Sequence, residues 1–350
     1  MKKQNKTLTI LAIETSCDET SAAIIGENNG ILEVASNIIS SQIDIHKAYG
    51  GVVPEVAARH HVKNIIPVIA ESLDVAKIKP EEIDLIAVTS GPGLITSLIV
   101  GVEAAKSLGV AWHKPVMQVN HIYAHLAANF LNNKINFPAM ALVVSGGHTE
   151  LVLIEDYNKF KKIGQTVDDA AGEAFDKVAK LLNLGYPGGP VISARAEISR
   201  KSKVESRKFD FPRPMLNSGN FNFSFSGLKT AVLYKLKEIN TTNDKDINDM
   251  CASFEEAVVD VLVKKTIQAA EKFSAKTVFM AGGVAANKKL RQDLEMAVKN
   301  KDLEFFVPDF KYCTDNAGMI GVAAYYLAKE KMPTMDNWRS IKADPNWELE

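Results

Sequence analysis

Met140-Ala141-Leu142-Val143-Val144-Ser145-Gly146-Gly147-His148-Thr149-Glu150-Leu151-Val152-Leu153-Ile154 reads as two apolar strands joined by a glycine-bearing turn. Such a turn lets backbone come close to a bound group and directs N–H groups at a phosphate. The pattern also stands near the start of the chain. There Leu8 to Ile13 and Ser21 to Ile25 read as strands joined by Glu14-Thr15-Ser16-Cys17-Asp18-Glu19-Thr20, rich in hydroxyls and carboxylates. The elements after each hairpin match as well. After the first, the pattern predicts a helix from about Pro54 to Leu73 with Pro67 as a kink point, then a strand from Leu85 to Thr89. Next come Ser90-Gly91-Pro92-Gly93, a helix from Leu94 to Leu108, a strand from Val116 to Val119 and a helix opening at His121. After the second, helices are expected near Gly172 to Leu182 and from Ala252 to Phe273, with a strand from Val278 to Ala281. Gly282-Gly283-Val284-Ala285-Ala286-Asn287 leads into a helix ending at Val298, a strand from Phe305 to Val307 and a helix opening near Asp315.

This repeated order predicts an α/β chain of two lobes with one topology, related by duplication, facing each other across a central cleft lined by strand-to-helix loops. The N-terminal lobe is expected to comprise 1–118 with about 318–350, and the C-terminal lobe 119–317, with an insertion at about 186–249. His121 and His125 lie four apart, so on a helix their imidazoles share one face and can serve one metal ion as neutral donors. A transition metal usually takes a third protein ligand. In the duplication the helix at His121 is the counterpart of the helix at Asp315, so both N-termini are expected at the same cleft, with Asp315 the third ligand. A helix N-terminus also disfavours imidazolium, keeping His121 a neutral donor. Plainer readings stand beside these: hydrogen-bonded imidazoles on a packed face, Asp315 as a helix N-cap, and Cys313 as a small buried residue rather than a fourth ligand.

Over 350 residues, a hydrophobic fraction of 46% with ordinary charge is that of a globular protein of about two domains. The formal net charge of −1 predicts no nucleic-acid partner from global electrostatics, so any such binding needs a local basic patch. Arg195, Arg200, Lys201, Lys203, Arg207, Lys208 and Arg213 form a basic run broken by Glu197, Glu205 and Asp210, with Phe209 and Phe211 interleaved. It reads either as a solvated segment or as a contact for nucleic-acid phosphates. Cys17, Cys251 and Cys313 are odd in number and far apart, which argues against a disulfide framework. Lys2, Lys3 and Lys6 precede an apolar run that Glu14 cuts too short for a secretory segment, and no stretch reads as membrane-spanning, so a cytoplasmic location without a membrane is expected.

Asp18 and Glu19 read either as turn chemistry or as a cleft-facing pair that holds Mg²⁺ or acts as a base. Ser145-Gly146-Gly147 alone reads equally as a plain tight hairpin; paired with Gly282-Gly283 and Asn287, it points to nucleotide binding. Asp168 and Asp169 suit the start of a helix, whereas Asp176, one turn further in, is expected to accept hydrogen bonds from ribose hydroxyls.

A set of motifs in order carries a family resemblance: Ile13 to Thr20, Tyr49 to Glu55, Ser90-Gly91-Pro92-Gly93-Leu94, the His121/His125 pair, Val144 to Thr149, Asp168 to Lys177, Pro187-Gly188-Gly189-Pro190, Phe223 to Thr230, Gly282 to Asn287 and Tyr312 to Asn316. Together they resemble the tRNA threonylcarbamoyltransferases of the TsaD type, from about Ile10 to the helix near Asp315 and beyond. The resemblance implies the duplicated fold of the actin, Hsp70 and sugar-kinase (ASKHA) superfamily. It implies transfer of the threonylcarbamoyl group from threonylcarbamoyl-AMP to N6 of adenosine 37 in tRNAs reading codons that begin with A. It sets the metal ligands on His121, His125 and Asp315, with Fe²⁺ the usual metal and Zn²⁺ suited to the same donors. Donor-nucleotide contacts fall on Val143, Val144, Ser145, Gly146, Gly147, Asp176, Gly189 and Asn287; where many relatives carry Asp four residues after Gly189, this chain has Ser193. The implied partners are tRNA, TsaB and the P-loop ATPase TsaE, with the donor made by TsaC.

The donor is a mixed anhydride, already activated, so the protein is expected mainly to position and polarise it. Adenine N6 is a weak nucleophile, and Asp18 is the candidate base for its proton. An ATP-dependent kinase or ATPase of the same superfamily would use the paired turns and leave the histidines unexplained. A metalloprotease would need Glu after the first histidine, where the chain has Ile122. A non-enzymatic scaffold on an ATPase-like fold is the third alternative.

Overall fold

The structure, a computed structural model, describes residues 8–28, 31–202, 206–239 and 243–349; Lys2, Lys3, Lys6, Lys203 and Glu205 lie outside them. In chain order the elements are β1 (Ile10–Glu14), β2 (Glu19–Asn28), β3 (Ile31–Ser41), α1 (Ile43–Lys47), α2 (Pro54–Ala76), β4 (Leu85–Gly91), α3 (Ile95–Trp112), β5 (Val116–Asn120) and α4 (His121–Ala127). They continue with β6 (Ala139–Val144), β7 (Thr149–Asp156), β8 (Lys159–Gln165), α5 (Ala171–Leu181), α6 (Gly188–Lys201), α7 (Ser226–Glu238) and α8 (Asp244–Lys272). The last are β9 (Thr277–Ala281), α9 (Lys288–Lys299), β10 (Glu304–Phe306) and α10 (Ala317–Glu330).

Two five-stranded sheets repeat one topology. The first runs β3-β2-β1-β4-β5 and the second β10-β9-β6-β7-β8, so β6 to β10 are the counterparts of β1, β2, β3, β4 and β5 in turn. In each, a meander of three antiparallel strands is extended by two parallel ones. This is the duplicated α/β architecture that the repeated hairpins predict. The third strands, β3 and β8, were not expected; each forms a sheet edge with a mixed polar and apolar pattern. Within 186–249 lie α6, α7 and the start of α8, which begins at Asp244 rather than near Ala252. Helix α2 passes through Pro67 without interruption and runs on to Ala76.

The chain divides into two compact units, 1–134 with 308–350 and 135–307. The sequence predicts these crossings at 118/119 and 317/318; in the structure β5, α4 and the approach to α10 all belong to the first unit.

In the first unit β1 is buried along its whole length, so its two faces need separate partners. Leu11 and Ile13 join Ile65, Val68 and Ile69 of α2 and Val102 and Ala105 of α3 in one apolar cluster. Each such fully buried side chain contributes about 1.5–3 kcal/mol. Ala12, on the opposite face, meets α10, where a Cβ on Gly321 would lie 3.2 Å from the Ala12 Cβ. Glu14 ends β1 where the buried run meets the functional turn. Among the described residues one helix, α3, is long and apolar enough by composition to cross a membrane, at mean hydropathy 1.3, contrary to the sequence expectation. One face of it, with Leu98, Val102 and Ala105, is buried in the first unit, while Ile95, Ile99 and Val110 are exposed.

Candidate functional site

Strand β5 ends in Asn120, whose Oδ1 accepts hydrogen bonds from the backbone N–H groups of Ile122 (2.9 Å) and Tyr123 (3.1 Å). That N-cap starts α4 at His121 and stacks His121 and His125 on one face, ring centroids 4.6 Å apart and planes at 81°. Asp315 arrives from the loop before α10. Asn316, not Asp315, is the N-cap of α10, its side chain accepting from the Met319 N–H at 3.1 Å. The Asp315 carboxylate is therefore released from capping. Its Oδ1 lies 3.1 Å from the Nε2 of His125 and 3.5 Å from the Nε2 of His121.

Ligand atoms about 2.1 Å from one tetrahedral ion stand about 3.4 Å apart. The three donors, two imidazoles and a carboxylate, lie within 4.8 Å of one another and so fit a divalent transition metal. All three belong to the first unit. Cys313 is fully buried with its Sγ turned to the carbonyls of Pro308 and Asp309 at 3.5 Å, which makes it a packed residue.

Glu14 was missed as a site residue. It is fully buried, with Oε1 accepting from the Ser16 N–H at 2.5 Å and Oε2 from the Thr89 hydroxyl and, at 3.3 Å, from Nδ1 of His121. Ser16 Oγ lies 3.2 Å from the same Nδ1. A carboxylate on the outer nitrogen holds the Nδ1 proton and turns Nε2 toward the other donors, so that a metal ion would displace the proton from Nε2. The signal was present as the one charge interrupting a buried run. Burial opposes a charged His121, yet Asp315 and Glu14 on its two nitrogens raise its pKa well above the ordinary value. The expectation that the helix N-terminus keeps His121 neutral is thus corrected: the flanking carboxylates favour its protonated form. Burial holds the His125 pKa down, outweighing its Asp315 partner. Burial opposes charge on Asp315 and Glu14 too, but His121 and His125 keep Asp315, and His121 with Ser16 keeps Glu14, below the ordinary carboxylate range.

Asp18 sits in the turn between β1 and β2, nearly buried, in the same unit as the three ligands. Its neighbour Glu19 is pushed well up by burial and by Asp315 and Asp18. The Cys17 thiol is likewise raised, by burial and then by Asp18, Asp315 and Glu19, which disfavours the thiolate.

In the second unit the turn Ser145 to Gly147 follows β6. Val143 and Val144 are core side chains, with Val143 paired in the sheet to Glu150 and Ala281. A Cβ on Gly172 would come within 2.5 Å of the Ser145 carbonyl oxygen, and one on Gly282 within 2.5 Å of that of Val144, so this turn, α5 and the end of β9 converge. By contrast a Cβ on Gly146, Gly147, Gly189 or Gly283 meets no protein atom within 4 Å. Packing does not demand glycine at these four positions.

Asp176 accepts a hydrogen bond from the Gly188 N–H at 2.7 Å, and burial raises its pKa. Asn287 caps α9 through the Leu290 N–H at 2.8 Å and donates its amide protons to Ser193 Oγ at 2.9 Å and Glu255 Oε1 at 2.7 Å. Ser193 donates to the same Glu255 oxygen at 2.6 Å, and Arg200 reaches Oε2 at 2.7 Å. Glu255, fully buried, was not anticipated; it is the carboxylate that Ser193 and Asn287 both meet. Asp168 caps α7, accepting from the Phe225 N–H at 2.8 Å and the Ser226 N–H at 3.3 Å, rather than opening its own helix. The basic run is largely committed internally. Arg195 pairs with Asp244, Arg200 with Glu255 and Arg213 with Asp260, while Phe209 and Phe211 are buried and present no face for a base.

Several known proteins resemble this chain. A sequence model of the family TsaD, tRNA N6-adenosine threonylcarbamoyltransferase, matches residues 33–322. The enzyme of that name from Thermosipho africanus is 47% identical over 342 residues, covering 97% of this chain and 99% of its own. That from Staphylococcus epidermidis is 50% identical over 319 residues, 91% of each. Among solved structures, HypF of T. kodakarensis covers 95% of this chain and 49% of its own at TM-score 0.63 and 15% identity. Component A of (R)-2-hydroxyglutaryl-CoA dehydratase from Acidaminococcus fermentans covers 92% and 99% at TM-score 0.54 and 18% identity. These distant likenesses show the fold alone, a duplicated α/β architecture. With the sequence matches and the His121, His125 and Asp315 cluster together, the chain belongs to the TsaD family of tRNA N6-adenosine threonylcarbamoyltransferases.

Proposed function

We propose that this chain carries out the family's reaction with Asp18 as base, His121, His125 and Asp315 as metal ligands, and the second-unit turns as the adenylate cradle. The convergence of the three donor atoms within 4.8 Å is the observation that carries this reading. N6 of adenosine 37 attacks the carbamoyl carbon of threonylcarbamoyl-AMP, the bond from that carbon to the phosphate oxygen breaks, and AMP leaves with the electron pair. The proton lost from N6 passes to the Asp18 carboxylate. Bound metal, Fe²⁺ with Zn²⁺ as the alternative, supplies Lewis acidity toward the threonylcarbamoyl group. The N–H groups of Gly146 and Gly147, with the Ser145 hydroxyl, take the phosphate, while the Ser145 N–H closes the turn on the His148 carbonyl, and Gly189 leaves room for the nucleoside. Asp176 accepts from the ribose hydroxyls. The three bonds already made by Asn287 support a share of that work through Ser193 and Glu255.

The substrates are tRNA and threonylcarbamoyl-AMP, with TsaB and TsaE as protein partners, in the cytoplasm. Incubation of the purified protein with donor and unmodified tRNA, with and without those partners, is expected to yield the modified nucleoside by mass spectrometry. Phosphorylation of a small metabolite without incorporation into tRNA would show a kinase instead. An Asp18→Asn enzyme that binds donor and tRNA is expected to lose about 10²–10⁴-fold in transfer rate, and a full rate would remove Asp18 as the base.

A further inference from the structure

Strand β5 is an edge strand, and a sheet edge leaves backbone groups open unless something covers them. The segment 336–349 covers this one. The Asn337 side chain takes both backbone groups of Val116, accepting from its N–H at 3.2 Å and donating to its carbonyl. Two residues on, the Gln118 side chain donates to the Lys342 carbonyl at 2.9 Å, and two further on Asn120 donates to the Trp347 carbonyl at 3.0 Å. Contacts thus recur at Val116, Gln118 and Asn120, the positions of one strand face, and end at the residue before His121.

The geometry points to the segment 336–349 as a strap that positions the metal-ligand helix α4, with Asn120 as the positioning residue joining the two. The Asn120 amide is held at both ends. Its oxygen caps α4 and its nitrogen reaches the strap, so its orientation couples Trp347 to the first turn of a seven-residue helix that carries both histidines. A helix this short has little stability of its own. A second route meets the same imidazole. Asp344 donates its N–H to the Ser90 carbonyl at 2.7 Å, and the Gly93 N–H donates to the Pro345 carbonyl at 3.3 Å. The neighbouring Leu94 N–H donates to the Ser16 carbonyl at 2.8 Å, and Ser16 Oγ lies 3.2 Å from Nδ1 of His121. The strap lies so close to the turn that a Cβ on Gly91 would fall 1.8 Å from the Asp344 carbonyl oxygen, which explains glycine there.

The inference rests on the metal reading of His121, His125 and Asp315, and the test separates the two. Asn120→Ser keeps a capping hydroxyl while becoming too short to reach Trp347; a second variant ends the chain at Ala343; a third combines them. Metal affinity is measured by competing each protein against a chromophoric chelator for Zn²⁺. The visible spectrum of the Co²⁺ form reports donor geometry, and the melting temperature of metal-free protein reports the fold. Expected is about a tenfold weaker Kd in Asn120→Ser with an altered Co²⁺ spectrum and a nearly unchanged metal-free melting temperature. The double variant is expected to bind no more weakly than the shortened chain. A parent that binds Zn²⁺ with variants that match it, or losses that simply add, overturn the strap alone. A parent that binds no metal overturns the metal reading and the strap with it.

Discussion

Glu14→Gln tests whether the buried carboxylate beside His121 sets up the metal donor. The substitution preserves shape and removes one charge at a fully buried position. Glu14 accepts from three donors: the Ser16 N–H, the Thr89 hydroxyl and Nδ1–H of His121. A glutamine has one accepting oxygen, so two arrangements compete. If its oxygen stays on the Ser16 N–H, the NH₂ group faces Nδ1, which must give up its proton. The proton then sits on Nε2, the atom 3.5 Å from Asp315, and closes that lone pair to a metal. If the amide flips, its oxygen serves His121 but the NH₂ group opposes the Ser16 N–H, leaving a buried donor unsatisfied at about 1–3 kcal/mol. Either way the binding-ready state is penalised. Loss of such a partner typically weakens metal affinity about 10–100-fold, or roughly 1.4–2.8 kcal/mol at 1.4 kcal/mol per decade. Competition against a chromophoric chelator measures the change, with the metal-induced rise in melting temperature expected to shrink in parallel. A Glu14→Gln protein with the parent's metal Kd would refute the reasoning, because the donor is either closed by a proton or kept open only by leaving the Ser16 N–H unsatisfied.

His61 is buried and neutral, its Nδ1 accepting from the Thr20 hydroxyl at 2.8 Å and its Nε2–H donating to the Cys17 carbonyl at 2.9 Å. Burial holds its pKa below the ordinary 6.5, so the unfolded chain binds the extra proton first and His61-dependent stability, complete above pH 6.5, declines as pH falls through the window below it. Urea midpoints on either side of pH 6.5 should therefore differ more for the parent than for His61→Gln; equal differences would discount the effect. Gly321→Ala drives a Cβ to 2.0 Å from the Ile25 Cγ1 and is expected to cost about 1–3 kcal/mol in a urea titration. An unshifted midpoint would mean that α10 packs on β1 and β2 less tightly than described. Asn287→Ala removes the α9 cap and one donor to Glu255, for an expected loss of about 2 kcal/mol together with weaker AMP binding by calorimetry. Unchanged stability with unchanged AMP affinity would discount both roles.

The legible and the hidden parts of this fold separate along one physical division. Burial on both faces writes itself into consecutive residues, and β1, β4, β6 and β9 were legible as apolar runs because every position in them is covered. Edge strands β3 and β8 bury only some residues, so their alternation blurs and they escaped notice. The same division governs the charges. Duplication brought Asp315 to the histidines, since equivalent positions in a repeat are long-range information written twice. That Asn316 takes the cap and leaves Asp315 free was not decidable, because either residue can cap a helix. The partners of Glu14 lie at Thr89 and His121, and those of Arg195, Arg200 and Arg213 at Asp244, Glu255 and Asp260, so judging each charge by its neighbours misread all four. A charge inside a buried run must find a distant partner or the run would not fold, and Glu14 shows that such a break is better read as a site than as a terminus. A cluster of charges on a surface segment carries no such compulsion. In this chain the arginines are nonetheless tied to α8, and the tRNA-binding charge must be sought among residues whose partners the fold does not already supply.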